Sequence, residues 1–573
     1  VPPETPASLT DRQGVLSFLT LAYLAVVLVP ALVVALLLLL HIPTPWIAAQ
    51  VGLAAVLVVL YLTCLRALSA RQKFAVLGLF LVPSLFILLA AALIDDVGWD
   101  GITYHSEAIL GLLHGVNPIY SAFDGNFAIF TNHYPKTEWY FAAALGGAFH
   151  RFELGKSYGP FLILACFVYS WRFFRGLRLD RSASLLLAAG TALSPVAASQ
   201  ILTFYVDGAM ASLMSLLILS ILAQLDRPAW LDRIVLAAAA AAAFTTKFTG
   251  AAYVCVGLFL LSAALALYPL GGSLSRKLAR IRQLLPSAAL FAVATLLLGY
   301  SPYVTNVLEG HSPGYPATGK DKVAVIAGDS QGPREFFLPG RNRFQNFAVS
   351  FLSTSSEAKG PQSPVLKVPF TVRRSEIVAS VNPDVRTAGW GIFFSGVFLT
   401  SLALYLFARG WEWHPEMTVL GALLVLATTF TNPYAYWARL VPQIALLPVL
   451  LLVPCFAATS STVRLLARSI GVLLLVNSTL LAALSLQSSI RGTLRATRYL
   501  KNIYQQCGPG EYTFDGSKTM VRYDMLPEYR GVVLHPRRET ANELRSGVDL
   551  PISFSATTQD MLHTDHCAPP AHP

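Results

Sequence analysis

The chain has 573 residues, 55% of them hydrophobic and only 13% charged, whereas a soluble domain carries roughly 25% charged residues. Charge-free runs such as 15–40 exceed the roughly 20 residues that span a bilayer, which excludes a soluble globular protein. The formal net charge of +11 falls in short basic clusters between apolar runs, the pattern of cytoplasmic loops. It forms no basic stripe interleaved with exposed aromatics, so nucleic acid is excluded as the partner.

In chain order, the apolar runs predict an all-α polytopic membrane protein of about thirteen transmembrane helices. They lie near 15–40, 46–65, 74–94, 156–174, 183–200, 203–224, 233–249, 251–268, 284–303, 388–408, 417–431, 438–457 and 469–487. The first run is too long for the apolar core of a secretory leader, and no small-residue cleavage site leads from it into a soluble domain, so it is expected to be the first span. Spans seven and eleven are short, which suits a tilted or broken helix. Four loops carry the basic clusters: Arg66, Arg71 and Lys73; Arg172, Arg175, Arg178 and Arg181; Arg276, Lys277, Arg280 and Arg282; and Arg464 with Arg468. Thirteen alternating spans put all four loops on one side, which the positive-inside bias makes cytoplasmic.

Three longer segments then fall outside: the loop 95–155, the loop 304–387 and the tail 488–573, with a short strand expected at 529–534. The chain divides into a transmembrane domain, 1–487, and an extracytoplasmic C-terminal domain of mixed character, 488–573. Cys64, Cys166, Cys255 and Cys455 lie in or beside spans and read as inert core residues. Cys507 and Cys567 both fall in the outer tail, where an oxidising compartment permits a disulfide between them. No Cys or His spacing indicates a structural zinc.

The first outer loop opens on Asp95-Asp96-Val97-Gly98-Trp99-Asp100, followed by Tyr104 and His105. Clustered carboxylates raise one another's pKa unless a cation, a metal or a proton relieves them. The plain alternative is an acidic cap on a helix end, with Trp99 an interface anchor. Residues 103–115 carry apolar side chains at helical spacing and predict an amphipathic helix in the interface. His133-Tyr134-Pro135-Lys136 follows, then an apolar stretch to Phe149 that is short for a span. It reads as a second interfacial or half-inserted helix, so the loop is expected to lie along the membrane surface and cover a lipid headgroup.

Asp207 lies at the outer end of span six, Lys247 near the outer leaflet between long apolar stretches and Arg439 at the start of span twelve, all on the outer side. Ionisable groups at membrane depth are functional candidates. The structural alternatives are an Asp207–Lys247 pair that only holds helices together and an Arg439 that snorkels to the interface. Carboxylates beside isolated cations suit transfer of a group from a lipid phosphate. The cations take up charge growing on the phosphate, and one carboxylate accepts the proton of an attacking hydroxyl. A glycosidase would need two facing carboxylates instead.

These residues resemble the GT-C superfamily of membrane glycosyltransferases, and within it the aminoarabinose transferase and protein O-mannosyltransferase group. The matching features are the acidic motif 95–104, the His-Tyr-Pro-Lys stretch 133–136, the aspartate Asp207 opening a span, the Thr-Lys-Phe-Thr-Gly stretch 246–250, and the aromatic-Arg-x-x-Pro stretch around Arg439. The likeness covers about 74–260 well and the rest in outline. It implies an inverting transfer of a monosaccharide from a polyprenyl-phosphate donor to a hydroxyl on a glycan, lipid or protein, at the extracytoplasmic face of a bacterial inner membrane. Many members carry an acidic pair followed directly by an aromatic or His residue, whereas here Val97-Gly98-Trp99 separates Asp95-Asp96 from Asp100. Asp100 is the implied base because it shortly precedes the Tyr104-His105 helix start, with Asp96 in reserve. Lys247, Arg439 and Lys136 are implied to hold the lipid phosphate, and Asp207, Tyr104, His105 and His133 other parts of the substrates. Lys136 stands where members often have a second Pro. The acidic cluster permits a divalent metal, on Asp96 and Asp207, and does not demand one.

Two other functions fit parts of the pattern. A secondary transporter or lipid flippase would use Asp207 and Lys247, but the spans show no two-fold repetition. An O-antigen polymerase or ligase would use loop arginines such as Arg334, Arg341 and Arg343.

Overall fold

A computed structural model describes residues 6–43, 46–96, 98–125, 127–225, 228–267, 274–323, 341–356, 364–507, 510–514 and 532–536. Each expected span has a helical counterpart. The first nine correspond to α1 (Pro6–Leu39), α2 (Trp46–Cys64), α3 (Ala70–Leu93), α7 (Tyr158–Gly176), α8 (Arg181–Ala192) with α9 (Pro195–Ser199), α10 (Val206–Ala223), α11 (Trp230–Thr246), α12 (Phe248–Leu267) and α14 (Leu285–Gly299). α4 (Ser106–Leu113), α5 (Ala128–His133) and α6 (Thr137–Phe149) lie in the loop 95–155, and the short basic α13 (Leu274–Arg282) precedes α14. The helices Phe394–Phe407, Pro415–Thr431, Leu446–Ala457 and Ser461–Cys507 complete the series. Among the described residues, seven helical stretches are long and apolar enough to cross a membrane alone, and three shorter ones are apolar. The protein is an all-α polytopic membrane protein.

Several boundaries differ from the expectation for local reasons. The fifth span is broken: Pro195 cannot continue the hydrogen-bond ladder of α8, and Ser194 caps the new helix by accepting from the Ala197 amide. The twelfth starts as two tight turns, Ala438–Leu440 and Pro442–Ala445, before Leu446–Ala457. The seventh and eleventh are unbroken. The last helix has 47 residues, roughly 70 Å at 1.5 Å per residue, and runs straight through the expected tail boundary at 487. Beyond it, Gly510–Phe514 pairs in parallel with Val532–Pro536, so the expected strand begins at Val532, and 529–531 lie outside the described residues. Cys567 does too, and with it the expected disulfide.

The loop 95–155 does not simply lie along a surface. Residues Thr137–Gly146 of α6 are buried, packed against α1, α2, α4 and the turn Phe152–Ser157. Beyond Thr137 and Glu138, which are themselves buried, the stretch is largely apolar and presents no solvated face, so it enters the bundle.

Ion pairs across elements sort into two ends. At one end Arg172 meets Asp232 at 2.6 Å, Arg468 meets Asp180 at 3.3 Å, and Arg233 donates to Gln283 at 2.9 Å. At the other lie Asp100, Asp207, Lys247, Asp384 and Arg439. No described pair joins groups that thirteen alternating spans would put on opposite sides.

Candidate active site

The chain leaves α3 at Leu93 and turns at once. Asp96 is buried and holds that turn: its Oδ1 accepts from the Gly98 amide and its Oδ2 from the Phe204 amide, both at 2.7 Å. It thereby fastens the loop to the segment that leads into α10. Gly101 is required beside it, since a Cβ there would stand 1.8 Å from Asp96 Oδ2. Asp100 follows, its amide donating to the Tyr205 hydroxyl at 3.3 Å, and a wide turn, Gly101–His105, leads into α4.

Asp207 lies in the first turn of α10, where the helix dipole favours an anion. Lys247 occupies the extended link between α11 and α12, so its side chain leaves both helices and ion-pairs with Asp207. Arg439, in the tight turn Ala438–Leu440, joins everything. Its Nη1 lies 2.7 Å from Asp100 Oδ2 and 3.6 Å from Asp207 Oδ2, and its Nε lies 3.1 Å from Asp384 Oδ1. The guanidinium is also 4.7 Å from the Trp437 ring and 5.3 Å from that of Tyr205. Asp207 is buried, whereas Arg439, Asp100, Lys247 and Asp384 keep between 14% and 22% of their side-chain surface. The cluster is therefore reachable from outside the bundle.

Sequence reasoning placed Asp100, Asp207, Lys247 and Arg439 at one site, and the structure brings them together. It did not find Asp384 or Arg386. Both follow the Asn382-Pro383 turn shortly before a span, but they are embedded in a long polar loop where an isolated charge does not stand out. Their backbone is pinned from two sides. Gln200 accepts from the Gly208 amide and donates to Pro383 O, tying the loop to α10. Ser350 donates to Tyr436 O and accepts from the Ala388 amide, clipping the loop to the Arg439 segment.

Other expected residues have different partners. Lys136 is buried, donates to Asn132 O at 2.7 Å and Tyr134 O at 2.9 Å, and lies 5.6 Å from the Trp139 ring. Burial holds its ammonium well below the usual lysine range. His133 pairs with Asn306 at 2.8 Å and packs edge-on to Tyr315, where the loops 95–155 and 304–387 meet. Tyr104 stacks on Phe130. His105 accepts from Trp139 Nε1 at 2.7 Å, and burial pushes its imidazole down to about 3, so it stays neutral. Arg343 donates to Phe430 O at 2.7 Å, and Arg334 lies outside the described residues.

The donor set does not suit a metal on Asp96 and Asp207. Both Asp96 oxygens accept backbone N–H groups, and both Asp207 oxygens face cations. Among the described residues, no three His, Cys, Asp or Glu side chains are disposed to hold an ion. What the cluster offers is two cations close to a carboxylate that is partly open.

No protein-family model matches the chain, and no curated protein matches it. Among solved structures, it is similar to the crystal structure of ArnT from Cupriavidus metallidurans bound to undecaprenyl phosphate. The TM-score is 0.44 and the sequence identity 14%, over 82% of this chain and 86% of that one.

Proposed function

We propose that this chain is an inverting glycosyltransferase of GT-C type, moving a monosaccharide from a polyprenyl-phosphate donor to a hydroxyl acceptor at the extracytoplasmic face of the membrane. The observation that carries the reading is the Arg439 cluster: a guanidinium and an ammonium, supplied by three separate parts of the helix bundle together with Asp100, at the end of the bundle that the basic loops do not occupy.

The lipid phosphate engages Arg439 and Lys247. Asp100 takes the proton of the acceptor hydroxyl as that oxygen bonds to the anomeric carbon. The bond from carbon to phosphate oxygen breaks on the opposite face, and its electron pair leaves with the phosphate, where the two cations stabilise it. A phosphate is a stable leaving group, so no general acid is needed. Asp207 fixes both cations. Tyr104 and His105 form the wall behind Asp100, and His133 stands on the acceptor side between the outer loops. For Lys136 we infer a supporting role, stapling the turn before α6.

The test uses full-length protein in nanodiscs. Undecaprenyl phosphate binding is measured first, then transfer from a panel of undecaprenyl-phosphate sugars (glucose, mannose, galactose, arabinose) to membrane lipid, glycan and protein fractions. The expected result is saturable binding that Arg439→Gln weakens at least tenfold, and transfer from one donor. A wild-type protein that does not bind the lipid sinks the reading. Solute counterflow in proteoliposomes without sugar transfer would make it a transporter instead.

A further inference from the structure

Asp384 is the loosest of the three carboxylates around Arg439. Asp100 accepts a hydrogen bond from Nη1, and Asp207 is locked to Lys247. Asp384 lies on the other edge of the guanidinium. Its Oδ1 is 3.1 Å from Nε, yet neither atom makes a hydrogen bond. It also keeps the largest exposed fraction of the three, 22%.

A second guanidinium stands beside it. Arg386 lies 4.9 Å from the Trp437 ring, the same indole that carries Arg439 at 4.7 Å. Arg439 and Arg386 are the cations that act on Asp384, and Asp384 is the charge that acts most strongly on Arg386. One carboxylate thus faces two guanidiniums, and its Oδ1 makes no hydrogen bond. Carboxylates and phosphates meet a guanidinium in the same planar, paired fashion. The carboxylate that gives up least on leaving marks where an incoming anion goes.

We propose that Asp384 occupies an anion position between Arg439 and Arg386, that a lipid phosphate displaces it there, and that Arg386 is the third phosphate-binding cation of the site. This rests on the reading of the ligand as a lipid phosphate. The loop backbone need not move, because Gln200 and Ser350 pin it on either side of Asp384. Only the side chain turns away, and a concavity lined by Ser199, Ser380, Asn382, Pro383 and Arg439 opens beside it.

The displacement is pH-dependent. Burial pushes Asp384 up to about 6 against the pull of Arg439, with Asp100, Asp207 and Arg386 also facing it and the Tyr205 phenol within its field. Above about pH 6 a charged carboxylate competes with phosphate for the guanidiniums. Below it the group is neutral and competition fades.

The experiment is a titration of full-length protein in nanodiscs with undecaprenyl phosphate at pH 7.5 and 5.5. The variants are Asp384→Asn, Asp384→Ala, Arg386→Gln and Arg386→Lys. At pH 7.5 the two Asp384 variants should bind at least threefold more tightly than wild type. The ratio to wild type should fall toward one at pH 5.5, and taking the ratio cancels the ligand's own ionisation, whose second pKa is also about 6. Arg386→Gln should bind at least fivefold more weakly and Arg386→Lys should recover most of the loss. If wild type binds but both Asp384 variants bind equally or more weakly, Asp384 holds no anion position and the inference is wrong, while the lipid-phosphate reading stands. If Arg386→Gln binds as wild type does, Arg386 is no part of the site. If wild type does not bind at all, the reading of the ligand fails and the inference with it.

Discussion

Arg439 Nη1 lies 2.7 Å from Asp100 Oδ2, a contact between residues 339 positions apart. An arginine is always charged and offers donors in a fixed fork. It therefore sets the position of the carboxylate as firmly as the backbone does. Removing the carboxylate charge while keeping its shape separates holding from chemistry. Asp100→Asn is expected to leave undecaprenyl phosphate binding within about threefold and to lower kcat by roughly 10²–10⁴, the span of a lost general base. Near-normal turnover by this variant would remove Asp100 from the base role.

The Asp207–Lys247 pair makes a different demand. Asp207 is 2% exposed and Lys247 20%, so deleting the lysine leaves a buried carboxylate with only the more distant Arg439. Breaking such a pair costs about 3–5 kcal/mol, whereas replacing both members by apolar groups is often neutral. Lys247→Met is expected to lower the thermal midpoint sharply. The double variant Asp207→Leu, Lys247→Met should recover most of that stability but none of the transfer. A double variant that regains activity would make the pair purely structural.

The fold was legible where one force dominates. Charge-free runs report the lipid, so the apolar helices could be located from runs such as 15–40. Asp100, Asp207, Lys247 and Arg439 were visible because each is an isolated charge against an apolar background. Asp96 and Asp384 show the limit of that signal. Asp96 is as acidic as Asp100 in sequence, but its two oxygens are committed to the Gly98 and Phe204 amides, a partnership across 108 positions that no local pattern encodes. Asp384 sits in a loop already rich in charge, so nothing set it apart until Arg439 was found beside it. The burial of α6 was only half legible: thirteen residues are too few for a span, so the stretch read as interfacial or half-inserted, although ten of its residues are buried.

Asp96 leads to a steric prediction. It orients the turn only if nothing stands between it and residue 101. A methyl group on Gly101 would overlap Asp96 Oδ2 and its carboxyl carbon, so Gly101→Ala must push Asp96 off the two amides. Each buried donor left unpaired costs about 1–3 kcal/mol. Asp96→Asn should be milder, since its amide oxygen still serves one donor. The expected order of thermal midpoints is wild type, Asp96→Asn, then Gly101→Ala, with Asp100 misplaced and transfer lost in the last. Full activity in Gly101→Ala would show that Asp96 does not hold the loop.

Asp384 carries a stability signature that needs no ligand. Burial raises its folded-state pKa from the usual carboxylate range to about 6. A carboxyl with a raised pKa binds its proton more tightly in the folded state, so its contribution is fully present below about pH 4 and is lost as pH rises through 6. Roughly two units correspond to about 3 kcal/mol, and partial exposure and screening reduce this to the order of 1–2 kcal/mol. The thermal midpoint of wild type in detergent, measured relative to that of Asp384→Asn, should therefore fall between pH 4 and 7, leaving the asparagine variant the more stable protein above pH 6. Parallel curves for the two proteins across that range would mean that Asp384 titrates as an ordinary carboxylate, and that the site tolerates its charge as well as water does.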